Sequence, residues 1–195
     1  TEHSRQNLLR EGVAAWRIPV TGNTVIDALH TIVQRPAPDE VARLLAEHGI
    51  GPGGKELVLV TAHRRENFGA PFEGVCAGLR GLAEAYPERL HLVYPVHLNP
   101  NVQEPAHRLL GDVPNITLLP PLDYVSLVHL QRAATLVLTD SGGIQEEATG
   151  LGKPTLVLRE VTERPEGVEA GVLKLVGTPA SPAHPGRGAP PAGRP

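Results

Sequence analysis

Short apolar runs alternate along the chain with longer segments in which apolar residues recur every three or four positions. The runs are rich in Val and Leu, as strands covered on both faces are. They predict strands at 17–20, 56–62, 90–95, 116–120, 134–139, 154–158 and 172–177. The longer segments predict helices at 24–34, 38–49, 70–87, 101–111, 124–134 and 142–152. This alternation predicts an α/β fold, in which a parallel sheet is covered by helices on both faces.

Composition limits the classes of partner. The net charge is -3 and the isoelectric point is about 6.3, so no basic surface is expected for nucleic acid or an anionic membrane. The start, TEHSRQNLLREG, lacks the apolar core of a signal peptide, and no run approaches the roughly 20 apolar residues that a membrane helix needs. We therefore expect a cytoplasmic protein. Cys76 is the single cysteine, which excludes an internal disulfide.

The two ends of the chain differ from its middle. The sequence contains no methionine, and the simplest interpretation is that it is part of a longer protein. Residues 178–195, TPASPAHPGRGAPPAGRP, are dominated by Pro, Gly and Ala. Such a composition offers nothing to bury, so these residues are predicted to be disordered.

Four polar loops follow predicted strands: TAHRRENFG, PVHLNPN, TDSGGIQEE and REVTERPEG. Parallel α/β sheets bind their ligands at the carboxyl ends of the strands, where loops lead into helices. The four loops are therefore expected to meet at one edge of the sheet and to form a ligand site.

The loop at 140–147 has the composition of a phosphate site. Ser141, Gly142 and Gly143 stand where a helix is predicted to begin, so their backbone N–H groups can face an anion that the glycines allow to approach closely. The loop matches neither the Walker A motif nor G-x-G-x-x-G. A simpler alternative is that Asp140 or Ser141 only caps the helix.

Two glutamates, Glu146 and Glu147, follow the glycines directly. They can favour the positive end of the helix. An acid at this place can also accept hydrogen bonds from the two hydroxyls of a ribose, as in dinucleotide-binding folds. Amides for a diphosphate beside a carboxylate for a ribose indicate a nucleoside-diphosphate site.

Other loops add candidate groups. His63 and Arg64 can neutralise a phosphate, and the histidine can also move a proton near neutral pH. Arg164 and His97 are open to either a functional or a structural interpretation. The nine histidines show no H-x-x-x-H spacing within one helix, so no metal site is expected.

The motifs LVTAHRRENFG, VYPVHLNPNV, LTDSGGIQEEA and TERPEGVEAG, in this order, closely resemble those of the non-hydrolysing UDP-N-acetylglucosamine 2-epimerases. The segment TGNTVIDAL at 21–29 resembles the entry into the second domain of that family. The resemblance covers roughly residues 3 to 178. It implies one half of a two-domain, glycosyltransferase-B-like fold, in which each half is Rossmann-like and the active site lies between the halves.

The resemblance also implies domain limits and a reaction. Residues 1–16 would be a remnant of the first domain, comprising its last, interdomain helix, and 17–177 would be the Rossmann-like UDP-binding domain. Family members are isomerases that interconvert UDP-N-acetylglucosamine and UDP-N-acetylmannosamine, without a metal or NAD. They eliminate UDP to give a 2-acetamidoglucal and then add UDP back. The partners implied are UDP-N-acetylglucosamine, UDP and a second copy of the whole enzyme, which is usually a homodimer.

Site residues follow from the resemblance, motif by motif. Ser141, Gly142 and Gly143 would hold the diphosphate, Glu147 the ribose, and Arg164 the nucleotide side of the cleft. His63 would contact the phosphates and assist the departure of UDP. Arg64 and His97 match positions that contact a second, activating UDP-N-acetylglucosamine in bacterial members.

The sequence departs from the family pattern in two places that bear on activity. Leu127 stands where members have a Phe, in a loop that packs the uracil, so base packing is expected to be weaker. The carboxylates that handle the C2 proton belong to the first domain of the family. The chain alone is therefore expected to bind UDP without catalysis. Two alternatives remain open, a UDP-sugar-dependent glycosyltransferase and a non-catalytic UDP-binding module.

Overall fold

Six parallel strands form one sheet in the order β3-β2-β1-β4-β5-β6 in the computed structural model, which describes residues 1–177. The strands are β1 Glu56–Thr61, β2 Leu90–Pro95, β3 Ile116–Leu119, β4 Leu136–Thr139, β5 Thr155–Val157 and β6 Leu173–Leu175. The helices are α1 Glu2–Arg10, α2 Thr24–Val33, α3 Asp39–Glu47, α4 Ala70–Ala85, α5 Pro100–Leu110, α6 Tyr124–Ala133, α7 Gly142–Gly150 and α8 Pro165–Glu169. The predicted disorder of 178–195 concerns residues outside those described.

Helices cover both faces of the sheet, as predicted. Successive strand residues point to opposite faces, and Val58 and Leu57 illustrate the two sides. Val58 belongs to a buried cluster that contains residues of α4 and α5, whereas Leu57 belongs to a second cluster with residues of α3, α6 and α7. The apolar runs in the sequence reflect this double burial.

The strand order reverses between β1 and β4. The chain proceeds outward from β1 to β3, then returns to place β4 on the other side of β1. Open α/β sheets bind ligands in the crevice at such a switch point. Here Thr61 and Thr139 are paired in register at the carboxyl edge, and their hydroxyls share a hydrogen bond of 2.7 Å.

One predicted strand is wrong. Residues 17–20 form no strand; Ala15–Arg17 is a turn of 3-10 helix, and the residues after it are irregular. Pro19 has no backbone N–H to donate to a neighbouring strand, and the edges of the sheet are β3 and β6. The apolar character of this segment reflects the burial of Ile18.

The other predicted elements are confirmed to within two residues at each end. The short helix α8 was not predicted, because its five residues do not complete two helical turns. Within residues 1–177, no helix combines the length and the apolar character that crossing a bilayer requires.

Candidate functional site

A buried aspartate joins the loops that follow β1 and β4. Asp140 comes directly after β4, is fully buried, and accepts hydrogen bonds at Oδ2 from the backbone N–H groups of His63 (2.9 Å) and Arg64 (2.8 Å). The amide of Asn67 donates to the same oxygen, at 3.3 Å. These bonds span more than 70 residues of sequence and hold the His63 loop against the start of α7.

Asp140 therefore does not cap α7, and that part of the simpler alternative is wrong. Ser141 is the N-cap residue, and its side chain makes no capping hydrogen bond within the described residues. The backbone N–H of Ser141 donates to Thr139 Oγ1 at 2.9 Å. This differs from the expectation that the Ser141 amide faces a ligand, and it leaves the Ser141 hydroxyl as the polar group that can do so.

The amides of Gly142 and Gly143 stand in the first turn of α7, where N–H groups have no partners inside the helix. A methyl group built on Gly142 would lie 3.8 Å from Arg64 Nη2, 3.9 Å from Glu163 Oε2 and 4.0 Å from Arg164 Nη2. One built on Gly143 would meet nothing within 4 Å. The helix start is thus flanked by two guanidinium groups and by the Glu163 carboxylate, and it is open on the Gly143 side. The guanidinium groups and the free helix amides suit an anion.

His63 and His97 come together, although they belong to different loops. Their rings are stacked, with centroids 5.3 Å apart and planes inclined by 18°. His97 Nδ1 accepts the backbone N–H of Asn99 at 3.1 Å, and His97 itself is exposed. The His63 side chain is 41% exposed. Both imidazoles are therefore accessible beside the start of α7.

The two adjacent glutamates have different surroundings. Glu146 pairs with Arg164 Nε and accepts a hydrogen bond from Asn23 Nδ2 at 2.7 Å. Glu147 is only 7% exposed and accepts from Gln131 Nε2 at 2.7 Å. Burial, reinforced by the charge of Glu146, raises the pKa of Glu147. Glu146 thus fixes Arg164, while Glu147 faces α6.

A buried arginine, which the sequence pattern did not single out, connects the surrounding loops. Arg159 is 7% exposed and donates to Glu66 at 2.9 Å and to Glu163 at 2.6 Å. The hydrogen bond from Arg159 is the main reason that the pKa of Glu163 is lowered to about 2. Glu163 also lies 3.6 Å from Arg64. Arg64 is thereby held between its own loop and the loop after β5.

Leu127 does not lie in a loop. It stands in the first turn of α6, half-buried against the core cluster on that face of the sheet. The helix predicted at 124–134 is confirmed, and the loop position implied by the family resemblance is wrong. The helix begins at Tyr124, directly after the N-cap residue Asp123, which accepts the N–H of Ser126.

A cavity of about 500 Å³ lies beside α7 and the loop that contains Arg164. Its wall includes Asn23, Gln145, Glu146, Glu163 and Arg164. Among residues 1–177, no group of three or more His, Cys, Asp or Glu side chains is arranged to hold a metal ion.

The sequence identified the polar loops but not the residues that hold them. Asp140, Arg159 and Asn23 connect segments that lie far apart in sequence. Gln131 of α6 contacts Glu147 of α7, 16 residues later. Local patterns do not reveal such contacts. The only available signal was an acid or amide in an otherwise apolar environment, such as Asp140 directly after a buried strand.

Solved structures match this fold and sequence. The UDP-N-acetylglucosamine 2-epimerase of Neisseria meningitidis, solved with UDP-GlcNAc, has a TM-score of 0.84 and 44% identity; the match covers 91% of this chain and 48% of that one. S. aureus MnaA, solved with UDP, has a TM-score of 0.82 and 45% identity, over 91% and 46% of the two chains.

Sequence comparison gives the same relationship. A Ralstonia nicotianae relative is 56% identical over 182 residues, or 91% of this chain and 48% of the relative. The UDP-N-acetylglucosamine 2-epimerase of Yersinia pestis is 54% identical over 180 residues, again with 91% and 48% covered. The chain thus spans about half the length of these relatives. The family model for UDP-N-acetylglucosamine 2-epimerase matches residues 1–182, and the chain belongs to this family.

Proposed function

We propose that this chain supplies the UDP-binding half of an enzyme that interconverts UDP-N-acetylglucosamine and UDP-N-acetylmannosamine by eliminating UDP and adding it back. The observation that carries the proposal is the convergence of glycine amides, two guanidinium groups and an accessible histidine at the start of α7. The solved relatives with UDP-GlcNAc and with UDP support the choice of ligand.

The diphosphate would lie at the start of α7. The Gly142 and Gly143 amides donate to phosphate oxygens, and the Ser141 hydroxyl adds a third donor. Arg164, oriented by Glu146, contributes positive charge on the nucleotide side. Such donors are fixed before the ligand arrives, so little reorganisation opposes binding.

The nucleoside would lie along α6 and α7. Glu147 accepts hydrogen bonds from the ribose hydroxyls while Gln131 holds its carboxylate in place. Leu127 offers the base an aliphatic contact from the first turn of α6. An aliphatic side chain lacks the stacking geometry of an aromatic ring, so the base contributes less to affinity here than an aromatic residue would allow.

His63 assists the departure of UDP. Cleavage of the bond between the sugar and UDP leaves negative charge on a phosphate oxygen, which a hydrogen bond from an imidazole and the helix amides stabilise. The proton on C2 is handled by groups in the other half of the enzyme. The intermediate, a 2-acetamidoglucal, exposes its opposite face before UDP adds back.

We propose two further features on the basis of the family resemblance. Arg64 and His97 would contact a second, activating UDP-N-acetylglucosamine. The position of the two residues agrees with this, because the Arg64 guanidinium lies beside Gly142 and the His97 ring stacks on His63. A ligand that touches both would lie against the phosphate site itself. The whole enzyme is proposed to act as a homodimer.

Replacing His63 by Ala is expected to weaken UDP binding by about tenfold. A hydrogen bond to a charged group contributes about 1.5–3 kcal/mol, and 1.4 kcal/mol corresponds to tenfold in the dissociation constant. Titration calorimetry measures the effect. His107→Ala removes an exposed histidine of α5 and serves as the matched control, with unchanged affinity expected.

Activity is tested with a chimera, in which residues 1–177 replace the corresponding segment of the Yersinia pestis relative. A folded chimera is expected to equilibrate UDP-N-acetylglucosamine with UDP-N-acetylmannosamine, followed by proton NMR. The same chimera with His63→Ala is expected to be slower. A folded chimera that binds UDP but transfers the sugar to an acceptor would contradict the proposal and indicate a glycosyltransferase.

A further inference from the structure

Asp140 uses only one of its two carboxylate oxygens to hold the loops. Oδ2 accepts all three loop hydrogen bonds, from the N–H groups of His63 and Arg64 and from the Asn67 amide. Oδ1 is buried and has no hydrogen-bond partner within residues 1–177. An unpartnered carboxylate oxygen in the interior is costly, so a structural role alone does not explain why an acid stands here.

The unpartnered oxygen faces the ring of His63. Asp140 Oδ1 lies 3.8 Å from His63 Nδ1, which is slightly beyond hydrogen-bond distance. A ring shift of less than about 1 Å would complete the bond at ordinary hydrogen-bond lengths. The stacked His97 ring limits tilting of His63 but permits sliding within the ring plane.

We infer that Asp140 is a positioning residue for His63: its Oδ1 holds the proton of His63 on Nδ1, which turns Nε2 toward the ligand side. A carboxylate beside one imidazole nitrogen fixes both the tautomer and the orientation of the ring. When Nε2 also donates to a phosphate, the imidazole carries both protons and lies between two anions. Among residues 1–177, the charged and titratable groups around His63 are then Asp140 directly after β4, His97 from the loop after β2, and Arg64 from its own loop.

His97 provides an internal reference for this inference. Its Nδ1 accepts the N–H of Asn99, so neutral His97 carries its proton on Nε2. The two stacked rings are thus expected to be opposite tautomers, His63 protonated on Nδ1 and His97 on Nε2. Ring nitrogen-15 chemical shifts distinguish these forms, and His63→Ala and His97→Ala variants assign the signals.

The decisive variant is Asp140→Asn. The single oxygen of the new amide can still accept the loop hydrogen bonds in place of Oδ2, while its NH2 group takes the place of Oδ1 and donates toward Nδ1. The His63 proton is then expected on Nε2. Asn67→Ala is the matched control, because it removes one donor to Oδ2 and leaves Oδ1 untouched; the His63 tautomer is expected to remain on Nδ1.

The role of Asp140 in UDP binding rests on the proposed function, whereas the expected tautomer of His63 does not. Asp140→Asn is expected to weaken UDP binding by about tenfold. Asn67→Ala should change the dissociation constant for UDP by less than about threefold, because this variant leaves Asp140 Oδ1 and its contact with His63 unchanged.

The results of these experiments distinguish the positioning role of Asp140 from the proposed function in UDP binding. A wild-type His63 protonated on Nε2 in the free chain would overturn the inference, even if Asp140→Asn failed to fold. An unchanged tautomer in folded Asp140→Asn would overturn it as well. Failure of the wild-type chain to bind UDP, with the tautomers as expected, would contradict the proposed function and leave the positioning role supported.

Discussion

The free energy of unfolding is expected to fall by up to about 3 kcal/mol on acidification because of His91 alone. This residue lies on β2, away from the candidate site, and is 2% exposed. Its Nε2 shares a hydrogen bond of 2.8 Å with Thr117 Oγ1, and its ring stacks on His48 with centroids 4.2 Å apart. Burial, reinforced by His48 and Lys55, lowers the pKa of His91 to about 4.

The free energy of unfolding falls on acidification because the unfolded chain binds more protons than the folded chain over this pH range. The unfolded chain protonates this histidine near its ordinary pKa of about 6.5, whereas the folded chain resists protonation until about pH 4. The loss of stability caused by His91 is therefore absent above about pH 6.5 and grows as the pH falls toward 4. A difference of about 2.5 pKa units, at 1.36 kcal/mol each, corresponds to about 3 kcal/mol.

Urea denaturation at a series of pH values from 7.5 to 4 measures this effect. His91→Gln retains a polar partner for Thr117 and removes the titration, so its unfolding free energy should fall less over this range than that of the wild type. His107→Gln, which changes an exposed histidine, should behave as the wild type does. Parallel pH profiles for wild type and His91→Gln would refute the prediction.

UDP affinity is expected to fall between about 10- and 100-fold when Glu147 is replaced by Ala. Hydrogen bonds to a charged group contribute about 1.5–3 kcal/mol, and Glu147 is proposed to accept from both ribose hydroxyls. The surrounding protein already holds this carboxylate, through Gln131 and by burial. Its loss therefore removes an acceptor that costs little entropy to position.

The acid dependence of binding gives a second check on Glu147. An ordinary glutamate has a pKa of about 4.3. Because burial raises the pKa of Glu147, protonation should begin to weaken UDP binding at a higher pH than it would for an ordinary glutamate. Glu147→Gln should lack this acid-dependent loss. Glu104→Gln changes an acid of α5 whose side chain is 80% exposed and serves as the control. Equal affinity in wild type and Glu147→Ala would exclude Glu147 from the nucleotide site.

The fold was predictable because burial on both faces leaves a strong local signal. The run at 56–62 is apolar since every residue from Leu57 to Thr61 is buried. The segment at 17–20 shows the limit of that signal, because Ile18 is buried without belonging to a strand. Apolar character records burial, whereas a strand also needs a neighbour that can exchange backbone hydrogen bonds.

The site was predictable only in part, for a related reason. The glycines after β4 and the His63 loop could be placed at one edge of the sheet by the rule for parallel strands. The contacts that orient them are long-range: Asp140 holds a loop 76 and 77 residues earlier, and Arg159 reaches Glu66 across 93 residues. No local pattern specifies such pairs, and the inward-facing amide of Ser141 depends on the hydroxyl of Thr139.

A nucleotide site at the start of α7 is tested most simply by a calorimetric titration of UDP into the 195-residue chain and into its His63→Ala, Glu147→Ala double variant. We expect saturable binding at one site in the wild type. In a double variant that keeps its circular dichroism spectrum, we expect the dissociation constant to rise more than about tenfold. A folded wild-type chain that gives no saturable heat, or a double variant with unchanged affinity, would contradict a nucleotide site at the start of α7.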